Sequence, residues 1–345
     1  MSIITIVGAG MMGSALSVPA NTNGHEVRIV GTPLDRDIIE HVRATGEHLY
    51  MKRKLPVKNQ YFQIEQLDEA LKGADLLICG VSSFGVDWFG DNVLCKLPKD
   101  LAVLSVTKGM LNLDDGTLIP YPVYYGNKYP DAPWVNAVGG PSNSYALVDL
   151  DATAVAFCGK DVNQLKFIKS LMRTDYYHIS ISTDIVGVEC AVAMKNAYAL
   201  AVSLAVGLSE KKNGVGVHQC NSQAALFGQS VKEMRELLKI VGGADENIVY
   251  GAGDLYVTVF GGRTRLLGTL LGRGLSFEDA MAELAGLTLE SVVIIKRTAQ
   301  AVYKLIERGI ATKEQFPLML HVDEIISRNK SVNIPYKAFE AETII

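Results

Sequence analysis

Charged and polar residues interrupt stretches of this chain that otherwise read as buried, and their types point to proton transfer. Lys195 and Asn196 fall inside the apolar run Ile185 to Leu208, Lys108 follows the strand-like AVLSV in the turn SVTKGM, and Asp254 lies in YGAGDLYVT. An unpaired buried lysine is costly unless it gains a partner or gives up its proton. A lysine so placed can give a proton to a ketone oxygen as hydride reaches the carbon, and a carboxylate such as Asp254 can orient it and tune its acidity. The plainer reading is that each lysine snorkels to solvent and Asp254 caps a turn. The segment GGRTR (261–265) adds two arginines flanked by glycine, suited to a phosphate through the guanidinium fork and exposed backbone N–H groups. A solvated basic turn is its alternative.

The second chemical signal is the glycine pattern of GAGMMG, with Gly8, Gly10 and Gly13 directly after the strand-like SIITIV and before MMGSALSVPANTNG. Glycines there allow a tight turn and close backbone approach, leaving the following helix N-terminus to hold a pyrophosphate. A lone pattern of this kind also occurs in structural glycine loops, but the setting, strand before and helix after with a further strand HEVRIV beyond, favours a dinucleotide turn. An acidic residue that would hold the ribose of NAD is absent after Val30, where Gly31, Thr32 and Pro33 follow. Arg36 stands near enough in sequence to meet the 2′-phosphate of NADP, or is simply a solvated helix residue.

The elements that must carry these residues divide the chain in two. Short β-rich runs at 2–7, 25–30, 75–81, 102–106, 135–138 and 153–157 alternate with helical segments such as 67–74 and 162–172. Near-continuous hydrophobicity suits strands covered on both faces, so the spacing predicts a doubly wound, parallel Rossmann-type sheet. From about residue 184 onward long helical patterns take over at 220–241, 276–286 and 293–309. Hence the expected division is an α/β dinucleotide-binding domain over 1–183 and an all-helical substrate-binding and catalytic domain over 184–345. A length of 345 residues agrees with two domains, each with its own core.

Composition narrows the function classes. Basic and acidic residues number 33 and 37, a net charge of -4, which argues against a protein that mainly holds nucleic acid or anionic membrane. Five cysteines without CxxC spacing and six histidines without a paired-ligand pattern predict reduced thiols, a cytoplasmic setting and no protein-held metal. No export signal is read at the N-terminus. Ile185 to Leu208 nearly matches a bilayer in length, but Glu189, Lys195 and Asn196 inside it favour a buried core helix over membrane insertion.

Together these segments resemble the NAD(P)-dependent glycerol-3-phosphate dehydrogenase family, in order and over nearly the whole chain. GAGMMGSAL looks like its cofactor turn, KLPVKNQ its KLP segment, SVTKGM its TKG segment, GGPS (139–142) its GPS segment, MKNAYAL its LKN helix, GAGDLYVT its GDL segment, and GGRTR its RNR segment. The resemblance implies hydride transfer between NAD or NADP and dihydroxyacetone phosphate or sn-glycerol 3-phosphate. It makes Lys195 the acid/base, supported by Lys108 and Asp254. It implies cofactor contacts at Gly8, Gly10, Met11, Met12, Gly13, Arg36, Lys108, Ser142, Ser144, Arg263 and Glu290. Substrate contacts are implied at Lys108, Gly140, Ser142, Lys195, Asn196, Asp254, Thr258, Gly262, Arg263 and Thr264. The expected partner is a small phosphorylated substrate, and a helical domain of this kind suits a homodimer.

Several positions depart from the family pattern. Thr264 replaces the asparagine of RNR, Ser144 replaces an alanine near the cofactor, and Gln223 replaces a basic residue. The VVEG segment reads Val292, Val293, Ile294, Ile295, so Glu290 one turn earlier is the candidate for its glutamate. The VP-x-Q turn reads Val81, Ser82, Ser83, Phe84. Two other readings follow: a dehydrogenase of a longer polyol phosphate or another 2-ketone, and a nucleotide-binding regulator without turnover. A regulator would need the glycine turn but not the lysines.

Overall fold

A computed structural model describes residues 1–287 and 289–340; residues 341–345, the end of the expected second domain, lie outside that description. The chain forms two compact units. One comprises Met1–Lys108 and Pro120–Glu189, the other Gly109–Ile119 and the chain from Cys190 onward.

The strands in chain order are β1 (Ile3–Val7), β2 (Glu26–Val30), β3 (Gln60–Phe62), β4 (Leu76–Cys79), β5 (Ala102–Ser105), β6 (Met110–Asn112), β7 (Leu118–Pro120), β8 (Val135–Gly139), β9 (Thr153–Cys158) and β10 (Tyr177–Ser182). Eight of them form one sheet in the order β10-β9-β8-β5-β4-β1-β2-β3. The central strands β4, β5 and β8 are buried at every position, as their unbroken apolar runs require. Register sets the functional edge. Val7 pairs with both Val30 and Cys79, Cys79 with Ser105, and Ser105 with Ala137, so β1, β2, β4 and β5 end together and β8 runs two residues further, to Gly139. The residues that follow those ends, the glycine turn, the Lys108 turn and the 139–142 segment, therefore share one edge of the sheet.

The expected all-parallel sheet needs a correction, because β8 and β9 pair antiparallel. The connection between them stays at the carboxyl edge. Its short helix Ser144–Val148 packs on the helix Met11–Ala15, and the chain re-enters the sheet where it left. The edge strand β10 shows buried and exposed residues in alternation from Tyr177 to Ser180, the period of a half-covered strand.

The second unit is built around the helix Lys195–Asn213, almost wholly buried, with Cys220–Ile240, Ile248–Val259, Gly262–Arg273, Glu290–Glu307 and Pro317–Arg328 against it. A seam of glycines lets Gly262–Arg273 approach it closely. A Cβ on Gly207 would stand 2.1 Å from the Thr269 carbonyl oxygen, and one on Gly272 would stand 2.3 Å from that of Leu204. The apolar run Ile185–Asn213 is long enough to cross a membrane, yet 83% of its most apolar window is buried. It is two helices, Ile185–Ala193 and Lys195–Asn213, parted at Met194.

A single break at 183/184 does not describe the two units. The two-stranded β6–β7 sheet joins the helical unit, because Met110 and Leu118 enter its core and two arginines hold it. Arg297 Nη1 donates to the Met110 carbonyl at 3.1 Å and Arg308 Nη1 to the Asp115 carbonyl at 2.8 Å. The short stretch up to Glu189 stays with the sheet.

A buried carboxylate ties three helices of this unit together. Glu233 accepts the N–H groups of Leu318 at 2.7 Å and Met319 at 2.9 Å, the Gln229 amide at 2.9 Å and the Tyr198 hydroxyl at 3.1 Å. Burial pushes its carboxyl up to about 7, against the pull of those donors.

Two outcomes follow from this packing. Gly272→Ala should lower unfolding free energy by about 1–3 kcal/mol in urea melts, because the new methyl meets backbone that cannot yield. Gly228→Ala, on a helix position where a Cβ meets nothing within 4 Å, should be neutral or stabilising. For Glu233 the folded state holds a proton more tightly than the unfolded chain, so its contribution to stability declines as pH rises from about 4.5 to about 7. In Glu233→Gln that slope should flatten while overall stability falls; an unchanged pH dependence would remove Glu233 as its source.

Candidate functional site

In the sheet unit the glycine turn leaves β1 at Gly8, whose φ of +107° only glycine adopts without strain. A Cβ on Gly13 would stand 2.2 Å from the Gly8 carbonyl oxygen, so the helix Met11–Ala15 packs directly onto the turn. By contrast, a Cβ on Gly10 would meet nothing within 4 Å, and Gly10 caps the helix with no side chain to take its first N–H groups. The open side and the uncapped donors at Met11 and Met12 make a cradle that fits a pyrophosphate.

Other expected cofactor residues gather at the same edge. Ser142 Oγ lies 3.9 Å from Met12 Sδ, and Lys108 Nζ donates to the Gly140 carbonyl at 2.8 Å. The Lys108 turn is pinned to the end of β4, since Thr107 donates its hydroxyl to the Val81 carbonyl at 2.7 Å and Val106 its N–H to Cys79 at 3.0 Å. Ser144 is buried in the first turn of its helix, which Asn143 caps by accepting the Tyr145 N–H at 2.9 Å.

The edge also holds an acid that the sequence reading missed. Asp35 lies five residues beyond β2, and its carboxylate turns back to accept from the backbone N–H and hydroxyl of Thr32 at 2.9 and 2.8 Å and from the Ala9 N–H at 3.1 Å. Its place beyond Gly31, Thr32 and Pro33 gives no local sign of this return, which only the folded turn produces. Arg36, next in sequence, is exposed and bonded to the Glu65 carboxylate.

In the helical unit, Lys195 and Asp254 meet. Lys195 Nζ donates to Asp254 Oδ1 at 2.5 Å; the carboxylate is completely buried and the lysine side chain 14% exposed. Lys195 opens its helix immediately after the break at Met194, and Asn196 beside it is half-buried. Asp254 stands within the helix Ile248–Val259, not on a turn. One turn on, Thr258 Oγ1 donates to the Asp254 carbonyl at 2.7 Å. The next helix begins at Gly262, with φ +83°, followed by exposed Arg263 and half-buried Thr264. The two arginines of GGRTR part company here: Arg265 donates back to the Val259 carbonyl, whereas Arg263 faces solvent. Glu290 is the first residue of its helix and half-buried, and the Gln223 amide bonds the Gln219 carbonyl of its own helix at 3.3 Å.

The arrangement offers a glycine turn with open backbone donors in one unit and, in the other, a cation held by a buried carboxylate and a helix opened by Gly262 and exposed Arg263. Among the described residues no cluster of histidine, cysteine, aspartate or glutamate could hold a metal ion.

Comparison with known proteins agrees with this geometry. The family model for the N-terminus of NAD-dependent glycerol-3-phosphate dehydrogenase matches residues 3–163, and that for its C-terminus matches 184–336. The NADP(+)-dependent glycerol-3-phosphate dehydrogenase of Archaeoglobus fulgidus is 35% identical over 305 residues, 88% of this chain and 89% of the relative. The glycerol-3-phosphate dehydrogenase [NAD(P)+] of Leuconostoc citreum is 29% identical over 314 residues, 88% and 87%. Among solved structures, glycerol-3-phosphate dehydrogenase of Plasmodium falciparum shares the fold at a TM-score of 0.82 and 21% identity, over 100% of this chain and 96% of that one. With both halves matched in order and the glycine turn and the Lys195–Asp254 pair in place, the chain belongs to the NAD-dependent glycerol-3-phosphate dehydrogenase family.

Proposed function

We propose that this chain reversibly reduces dihydroxyacetone phosphate to sn-glycerol 3-phosphate with NADH or NADPH. The observation that carries the reading is the Lys195–Asp254 pair, a proton donor locked by a buried carboxylate in a chain whose two halves both match this dehydrogenase family. A nicotinamide bound at the glycine turn would supply the hydride. Lys195 Nζ gives its proton to the ketone oxygen as C2 receives the hydride, and takes it back from the alcohol in the reverse direction. Asp254 holds the ammonium in place and compensates its charge in a site largely closed to water. Lys108 is assigned a supporting role, by the family resemblance of its SVTKGM segment. Arg263 and the first N–H groups of its helix are assigned to the substrate phosphate, with Asn196, Thr258 and Thr264 to phosphate and hydroxyl oxygens. A homodimer and a cytoplasmic setting belong to the same proposal; free thiols at Cys79, Cys95, Cys158, Cys190 and Cys220 support a reducing compartment.

For cofactor choice, Arg36 is engaged with Glu65, and both side chains are about half exposed. Such a surface pair exchanges readily for a better anion. Asp35 already satisfies three inward donors and leaves Arg36 as the group able to meet a 2′-phosphate.

Three measurements test this. Lys195→Met should lower kcat by roughly 10²–10⁴-fold. It should also destabilise the fold, because it removes the ammonium that faces a wholly buried carboxylate. Lys195→Met/Asp254→Asn should recover stability without recovering turnover; a folded single variant turning over near the wild-type rate removes Lys195 from the mechanism. Arg263→Lys should raise KM for dihydroxyacetone phosphate at unchanged net charge, because the two-pronged hydrogen bond is lost. Equal efficiency of the wild type on unphosphorylated dihydroxyacetone would remove the phosphate assignment in favour of another 2-ketone. Glu65→Gln should improve NADPH binding relative to NADH and Arg36→Ala should do the opposite, read by titration of cofactor fluorescence; parallel changes for both cofactors reject the role of Arg36.

A further inference from the structure

One residue of the glycine turn, Ala9, has both of its backbone polar groups held by side chains from distant parts of the sequence. Its N–H donates to Asp35 Oδ2 at 3.1 Å. Its carbonyl oxygen accepts from His48 Nε2 at 3.0 Å and from the Ser14 hydroxyl at 3.2 Å. His48 is completely buried, and its Nδ1 lies 3.1 Å from the N–H nitrogen of Met51 and 3.3 Å from that of Tyr50. Backbone N–H groups only donate, so Nδ1 must carry the lone pair and Nε2 the proton, which is the tautomer that donates to Ala9. Burial holds the imidazole pKa below its ordinary value, in keeping with a neutral ring.

We propose that His48 and Asp35 are positioning residues for the dinucleotide, fixing the two peptide planes on either side of Ala9 and with them the phosphate-facing surface of residues 8–13. The inference rests on the reading that this turn binds NAD(P)H. A peptide is planar and trans, so an Ala9 carbonyl drawn to His48 and Ser14 leaves the Gly10 N–H on the opposite side of the same plane. Likewise, an Ala9 N–H drawn to Asp35 turns the Gly8 carbonyl the other way, and that oxygen is the atom against which Gly13 packs. From within the local segment only the Ser14 hydroxyl reaches Ala9, on its carbonyl side. Gly8 and Gly10 flank Ala9 with no side chains, Gly10 has open space where a Cβ would be, and glycine backbone rotates freely unless something outside it intervenes. Asp35 and His48 supply that restraint from the segment between β2 and β3, so the phosphate-binding turn and the loop beyond β2 are ordered as one piece.

The test separates the contact to Ala9 from the general worth of a buried histidine. Glutamine places an amide donor where Nε2 stands and keeps the bond to Ala9; asparagine serves the N–H groups of Tyr50 and Met51 but falls short of Ala9. NADH binding to each purified full-length variant is titrated by cofactor fluorescence, alongside a thermal melt. The expected result is a Kd raised roughly three- to tenfold in His48→Asn, the scale of one neutral hydrogen bond, and within about twofold of wild type in His48→Gln. KM for NADH should follow Kd, while KM for dihydroxyacetone phosphate at saturating NADH stays put. Should the histidine variants fail to fold, Asp35→Ala against Asp35→Asn, which keeps an acceptor oxygen, must show the same order. Equal losses in the paired variants, or affinities that track melting temperature and not the Ala9 contact, overturn the proposal. A wild type that melts normally but binds neither NADH nor NADPH overturns the dinucleotide reading as well.

Discussion

An ion pair with one wholly buried partner is the constraint around which the helical unit is organised. Asp254 has no exposure, and Lys195 meets its carboxylate at 2.5 Å, a contact that offsets part of the cost of burying the charge. Delivering that contact requires a long apolar helix to begin with a lysine, which the break at Met194 permits, and a second helix to present an aspartate from its interior. The rest of the unit is then ordinary apolar packing, drawn in tightly by the glycine seam at Gly207 and Gly272. Shape and charge are thereby separated: the seam sets how close the helices lie, and the pair sets where the charges are held.

The sheet unit obeys a different constraint, one of register. Because four adjacent strands end at the same level and β8 only two residues beyond, segments far apart in sequence emerge side by side, and most of them carry a chemical group. Backbone groups take part in most of the hydrogen bonds described at this edge. The helix start at Gly10 offers N–H groups, Gly140 offers a carbonyl to Lys108, and side chains such as Asp35, His48 and Thr107 hold the backbone itself. Open α/β sheets place ligands outside the carboxyl ends of their strands for this reason.

Much of this was legible in one dimension because it rests on local rules. Continuous apolar runs marked β1, β2, β4, β5, β8 and β9, and helical spacing found the helices Val162–Met172, Cys220–Ile240 and Glu290–Glu307 to within a few residues. Motif order singled out the glycine turn, Lys108, Lys195, Asp254 and Arg263, since each breaks a local pattern: glycine where a side chain is normal, charge where a core residue is normal. Hydrophobic periodicity carries no strand direction, so the antiparallel return of β9 was not legible, nor was the loss of residues 109–119 to the helical unit.

What the sequence by itself determined was the set of elements, the two-part plan and the residues whose chemistry is out of keeping with their surroundings, because these depend on neighbours within a few positions. Only the tertiary structure decided which of them meet. Lys195 finds Asp254 at a separation of 59 residues, Ala9 finds Asp35 and His48 at 26 and 39, and Arg36 finds Glu65 at 29. Arg263 and Arg265 look equivalent in GGRTR, yet a bond to the Val259 carbonyl ties one of them back. Hydrogen bonds and ion pairs act over about three ångströms in space whatever the distance along the chain, so only the folded backbone can specify them.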